Sequence, residues 1–183
     1  MTDAQKDRSM VRQKEIAAAH AGRLASARER GQKVVYTFVP GNIVELLLSF
    51  DLLPVYPVVN ALAAGRRHQA DAYIREAERA GHSEDVCSYV KCDVGMAMGP
   101  ENGGGTSAPE IPPPDLLLLS FTGCATFFKW FENLHRIWKA PVTMLQVPYQ
   151  ADGAITPEMR NYVVAQLKGE VIPALEKLSG RRF

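Results

Sequence analysis

With 183 residues, 46% of them hydrophobic and 22% charged, the chain has the length and composition of one water-soluble α/β domain. A net charge of +1 without a dense Lys/Arg block argues against a nucleic-acid partner. No apolar run approaches the roughly 18–20 residues of a membrane span, and the N-terminus lacks the apolar core of a secretion signal. A cytoplasmic location is expected, where free thiols or metal ligands are commoner than disulfides.

Residues 3–30 are rich in Ala, Glu, Gln, Lys and Arg, and Gly31 is a natural stop. Residues 1–32 therefore read as a helical arm ahead of an α/β domain over 33–183. Lys33–Phe38 is an apolar, β-branched run expected to be a buried strand, broken by Pro40 and Gly41. Asn42 with Glu45 resembles a capping box that opens a helix over Ile43–Phe50. Leu53–Val59 reads as a second strand, placed near a sheet edge by Pro54 and Pro57.

Asn60–Ala80 predicts one helix closed by Gly81, and Ser83 an N-cap for the next helix, with Cys87 in its first turn. Residues 99–114, with three consecutive glycines and three consecutive prolines, predict a long surface loop. Asp115–Ser120 is apolar on both faces, as in a parallel sheet. Cys124 follows it directly, before an aromatic helix over Ala125–Trp138. Pro141–Val147 predicts a further strand, and Thr156-Pro157-Glu158 begins a last helix ending near Gly180.

Strands alternating with helices imply a doubly wound, mainly parallel sheet of the Rossmann/flavodoxin-like class, with an extra N-terminal helix. Ligands of such sheets bind beyond the C-terminal strand ends, and Cys124 lies at one of them.

All three cysteines fall near the ends of predicted elements. Cys87 would start a helix, where free N–H groups and the dipole favour negative charge. Together with Cys124 it is a candidate for a shared metal role, since thiolates are the ligands that iron–sulfur clusters require. The competing reading of either residue is a small buried hydrophobe. Cys92 comes five residues after Cys87, about 140° round a helix, and reads as structural.

Zinc held by the cysteines and His82 is a weak alternative, because no close Cys-x-x-Cys pair exists. No feature pairs His20, His68, His82 or His135 with a thiol. Gly103–Gly105 follows no strand and leads into prolines, so it is not a phosphate loop and the chain is not expected to bind ATP. The aromatics of 127–138 read mostly as core, with one or two lining a pocket near Cys124.

Four segments resemble a known family: Val34-Val-Tyr-Thr-Phe-Val-Pro-Gly-Asn42, Ala80-Gly-His-Ser-Glu-Asp-Val-Cys-Ser-Tyr-Val-Lys91, Pro114-Asp-Leu-Leu-Leu-Leu-Ser-Phe-Thr-Gly-Cys124 and Leu145-Gln-Val-Pro-Tyr-Gln150. Nearly end to end, the chain is similar to the N-terminal part of catalytic subunits of the 2-hydroxyacyl-CoA dehydratase family, in the branch that reduces aromatic acyl-CoA thioesters. The resemblance implies a 4Fe-4S cluster with Cys87 and Cys124 as two of its ligands, and it names no other catalytic residue. It also implies that this is the first domain of a longer two-domain subunit, the third cysteine ligand coming from the second domain. Cys92 is an addition to the family motif.

The partners implied are a homologous catalytic subunit, ATP-hydrolysing activator subunits, an aromatic acyl-CoA substrate and ferredoxin as an indirect electron donor. Two alternatives stay open. One is dehydration of a 2-hydroxyacyl-CoA by the same ligands, and the other is a non-catalytic scaffold lacking a stable cluster.

Overall fold

In the computed structural model, residues 8–41, 43–99, 111–121, 123–150 and 153–183 are described. Four short apolar runs pair as parallel strands: β1 (Val34–Thr37), β2 (Leu53–Val55), β3 (Leu116–Phe121) and β4 (Val142–Gln146), in the order β2-β1-β3-β4. The register is fixed by pairs such as Tyr36 with Val55, Tyr36 with Leu117, and Leu119 with Met144. Successive side chains alternate between two cores, as the strand period of two requires. Val34, Tyr36, Leu117 and Leu119 enter one core, while Val35, Leu116 and Leu118 enter the other.

Helices cover both faces. On the first lie the Leu24–Ala27 end of the N-terminal arm, α5 (Ser88–Met98) and α6 (Thr126–Trp138). On the second lie α2 (Val44–Ser49) and a long C-terminal helix. A third, smaller core joins α3 (Pro57–Arg66) and α4 (Ala70–Arg79) to α5. The chain is thus a doubly wound α/β unit with an extra N-terminal helix, as expected. Its strand order reverses between β1 and β3, and the loops after those two strands flank the crevice where such sheets bind ligands.

Several predicted boundaries move. The N-terminal helix α1 spans Arg8–Ala25 and gives way to turns before Gly31, which adopts φ +65. Asn42 of the expected capping box lies outside the described residues; the N-cap of α2 is Ile43, in the left-handed region and without a side-chain cap bond. The second strand stops at Val55, because Pro57 is the first residue of α3, where a missing N–H costs nothing. The helix predicted over 60–80 divides into α3 and α4 at His68, whose φ of 57 no helix accommodates. Of the predicted loop, residues 100–110, including Gly103–Gly105, lie outside the described residues.

Both sheet edges are closed by side chains. The His20 ring donates to the Pro54 carbonyl at 2.9 Å, tying α1 to the β2 edge at that point, and Pro54 offers no N–H of its own. At the other edge, the Gln146 N–H donates to Gln166 Oε1 and Gln166 Nε2 donates to the Gln146 carbonyl, both at 2.9 Å.

The C-terminal helix starts as predicted, with Thr156 Oγ1 accepting the Met159 N–H at 3.3 Å and Pro157 in first position. It runs as α7 (Pro157–Gln166), a π-helical turn (Leu167–Val171) and α8 (Ile172–Ser179), and Gly180 ends it at φ +71. Pro173 has no N–H to give the Gly169 carbonyl, so the bonding pattern widens in the turn ahead of it.

Candidate metal centre

Cys87 is not inside a helix but at its N-cap. Ser83, expected to cap the helix, instead closes a separate turn: its Oγ accepts the Asp85 N–H at 3.2 Å and its carbonyl the Val86 N–H at 3.2 Å. The chain then extends at Cys87 (φ −44, ψ 127), whose carbonyl accepts the Lys91 N–H at 3.2 Å as α5 begins. The Lys91 side chain secures this turn from beneath. Its Nζ donates to the Glu84 carbonyl and to the Glu78 carboxylate, each at 2.6 Å, and the side chain is only 5% exposed. The Cys87 thiol itself is exposed.

Cys124 follows β3 through Gly123, whose φ of +125 would strain any residue with a side chain. The Cys124 carbonyl accepts the Phe127 N–H at 3.1 Å, so the residue leads directly into α6, and its thiol is exposed. Aromatics wall this end of the sheet. Phe38 packs on Phe127 with centroids 3.5 Å apart and meets Trp130 edge-on at 5.6 Å, while Phe121 packs on Phe128 at 4.2 Å. Trp130, Phe131 and Leu134 are core, as the sequence predicted for most of this helix.

α5 and α6 run the same way. α6 returns from the end of β3 to the start of β4. Met96, in the last turn of α5, lines a cavity with Ile111, and the next residue, Pro112, lines another with Lys33 and Val34 at the start of β1. The C-terminal end of α5 therefore points to the edge where strands begin. Its N-terminal end, with Cys87, points to the edge where β1 and β3 end.

Cys92 behaves differently. It is 2% exposed, and burial, with the neighbouring Asp93, pushes its thiol up to about 12. It packs against α3 and α4 beneath a groove of about 400 Å³. His20 and His135 are engaged with the carbonyls of Pro54 and Ala140. Among the described residues, no group of three or more His, Cys, Asp and Glu side chains is placed to hold a metal ion. A centre built on Cys87 and Cys124 would need further ligands from elsewhere.

One polar feature here escaped the sequence reading. Asp93 is buried on α5, accepts the Trp130 indole N–H at 2.8 Å and lies near the Asn60 side-chain amide. Burial raises its carboxyl to about 7 against the opposing pull of these two polar groups. The available signal was two charges, Lys91 and Asp93, inside an otherwise apolar run from Val90 to Met96.

Residues 37–183 match the family model described as 2-hydroxyglutaryl-CoA dehydratase, D-component. The chain belongs to this family. It is 54% identical over 97% of its length to a benzoyl-CoA reductase subunit of Thauera aromatica, covering 41% of that protein. It is 31% identical over 86% of its length to the (R)-2-hydroxyisocaproyl-CoA dehydratase alpha subunit of Clostridioides difficile, covering 37% of it. A third relative, the (R)-phenyllactyl-CoA dehydratase alpha subunit of Clostridium sporogenes, is 26% identical over 86% of the chain and likewise covered to 37%. The chain thus spans about two fifths of the length of these family members. Among the described residues, no helix is long and apolar enough to cross a membrane.

Proposed function

We propose that this chain is the first domain of an iron–sulfur catalytic subunit of the benzoyl-CoA reductase type, acting on an aromatic acyl-CoA. The observation that carries the reading is the pair of exposed thiols, Cys87 at a helix N-cap and Cys124 at a strand end, in a chain 54% identical to a benzoyl-CoA reductase subunit. The donor set fits: two accessible sulfurs suit a thiolate-bound 4Fe-4S cluster, and further ligation would come from a second domain. When bound, the cluster would supply low-potential single electrons for reduction of the aromatic ring.

The chain's own contributions are more limited. Cys87 and Cys124 offer the sulfurs, Lys91 holds the turn that presents one, and Gly123 permits the turn that presents the other. Phe38, Phe127 and Phe128 make the neighbourhood apolar, which keeps water from the acyl group and strengthens local electrostatics. Energy coupling is assigned to ATP-hydrolysing activator subunits fed by ferredoxin, and the second half of the catalytic core to a homologous subunit. Dehydration of a 2-hydroxyacyl-CoA is the second reading, favoured by the dehydratase relatives at 26% and 31% identity and disfavoured by their greater distance.

The test is anaerobic reconstitution of the chain with a second-domain polypeptide, followed by iron and sulfide analysis and electron paramagnetic resonance. Cluster binding that requires both Cys87 and Cys124 is expected. Full binding by a Cys87→Ser, Cys124→Ser double variant would overturn the assignment. Turnover of benzoyl-CoA rather than a 2-hydroxyacyl-CoA by the assembled enzyme separates the two readings.

A further inference from the structure

Cys87 stands six residues ahead of Asp93, and Cys124 stands six residues ahead of Trp130. The 2.8 Å bond from the Trp130 indole to Asp93 Oδ2 thus joins α5 and α6 at equal distances along the chain from the two thiols. Both helices run towards the same sheet edge, and the helical stretches Ser88–Asp93 and Thr126–Trp130 advance about 8 Å and about 6 Å from their starts beside the two thiols. We infer that Asp93 is a positioning residue: with Trp130 and Asn60 it locks α5 to α6 and so fixes the separation of the Cys87 and Cys124 sulfurs. This inference rests on the reading that the two thiols serve one centre.

Three observations support it. First, the pair is expensive for a purely structural contact. A buried carboxyl gives up its hydration, and that cost is recovered only through the hydrogen bonds it makes inside. Second, the carboxyl is shared among elements: Trp130 of α6 bonds it, and the Asn60 amide of α3 and Tyr36 of β1 are near enough to feel its charge. One group therefore sets α5 against two helices, with a strand beside it.

Third, α5 is prevented from sliding by other contacts of equal rigidity. A Cβ on Gly95 would collide with the Tyr73 backbone carbonyl, so α4 and α5 touch main chain to main chain. Lys91 ties the same helix to Glu78 and to the turn before Cys87. With α5 so fixed, the freedom left to the thiol pair is movement of α6; its apolar packing on the sheet resists separation, and the Asp93–Trp130 bond adds the directional contact that sets its position against α5.

The experiment attaches nitroxide labels to Cys87 and Cys124 of the metal-free full chain and measures their dipolar broadening in frozen solution. Mass analysis confirms two labels per chain, as the burial of Cys92 predicts. Trp130→Phe keeps the ring but removes the donor, Asp93→Leu removes the acceptor, and Asp93→Asn retains it. Loss of the buried bond in the first two is expected to widen the distance distribution about twofold, whereas Asp93→Asn retains the native width.

Thermal unfolding of each variant, followed by circular dichroism, identifies those folded at the labelling temperature. If Asp93→Leu does not fold, Trp130→Phe carries the test alone. A folded Trp130→Phe with lowered stability and native width would reduce Asp93 to a structural role and overturn the proposal. So would an Asp93→Asn distribution as broad as that of Trp130→Phe. Because no metal is present, failure of the chain to bind iron would sink the metal reading without touching this measurement.

Discussion

The two faces of the sheet solve different problems. The face under α2 and α8 is packed with Val35, Leu47, Leu52, Leu116, Leu118, Leu145, Val171 and Leu175, a cluster of apolar side chains. The face under α5 and α6 is aromatic, and its helix α5 carries the buried charges Lys91 and Asp93. An apolar cluster is non-directional and tolerates small shifts, whereas hydrogen-bonded charges accept one geometry. Both faces supply stability through buried apolar area, and by our inference the second also gives up some of it to define where the ends of its helices stand.

If that division holds, the largest loss of stability should come from the plain face. Leu118 is fully buried on the central strand β3, and Leu118→Ala should cost about 2–5 kcal/mol, read from urea unfolding. Gly95→Ala should follow, at about 1–3 kcal/mol, because overpacking against the Tyr73 backbone outweighs the better helix propensity of alanine. A neutral or stabilising Gly95→Ala would mean that α4 and α5 are not in main-chain contact.

Next in size is a pH effect confined to the second face. Burial raises the Asp93 carboxyl from its ordinary 3.8 to about 7. A raised folded value means that the group's contribution is complete below the unfolded value and is lost as pH rises through about 7. Asp93→Asn should therefore gain on the wild type from pH 5 to pH 8, by at most about 1.4 kcal/mol per pH unit. The groups around the carboxyl, the Trp130 indole, the Asn60 amide, the Tyr36 phenol and the Cys92 thiol, stay in one form across that range: two do not titrate, and burial pushes the phenol and thiol up. Parallel pH profiles for the two proteins would place Asp93 in contact with water.

How much of this was legible in the sequence follows the same divide. Leu116–Leu119 announces a strand buried on both faces without reference to anything distant, and the doubly wound class follows from the alternation of such runs with helices. The positions of Cys87 and Cys124 near element ends were readable too, from the strand and helix runs beside them, although Ser83, read as the cap, closes a separate turn and leaves Cys87 itself at the N-cap. Pro57 misled: it suits both an edge strand and a helix start, and only the fold decides. His68 interrupts an otherwise continuous helical pattern by a backbone angle that its residue type does not announce. Asp93 needed Trp130, 37 residues away, before its burial made sense. Contacts of that range leave no local pattern.

The smallest effect on stability should come from the residues that matter most to the proposed chemistry. Cys87 and Cys124 are exposed, so replacing either thiol by a hydroxyl removes no core packing. Cys87→Ser and Cys124→Ser should each unfold within about 0.5 kcal/mol of the wild type, as surface substitutions do. Cys92→Ser, by contrast, places a hydroxyl in the apolar core beside Ala61 and Met96 and should cost about 1–3 kcal/mol. Iron content after anaerobic reconstitution with a second-domain polypeptide should reverse that ranking. It should fall sharply in either exposed variant and stay at the wild-type level in folded Cys92→Ser, because metal affinity depends on the complete ligand set. Iron lost with Cys92→Ser but retained with Cys87→Ser would transfer the centre to the interior of α5 and dissolve the contrast between a stabilising face and a positioning one.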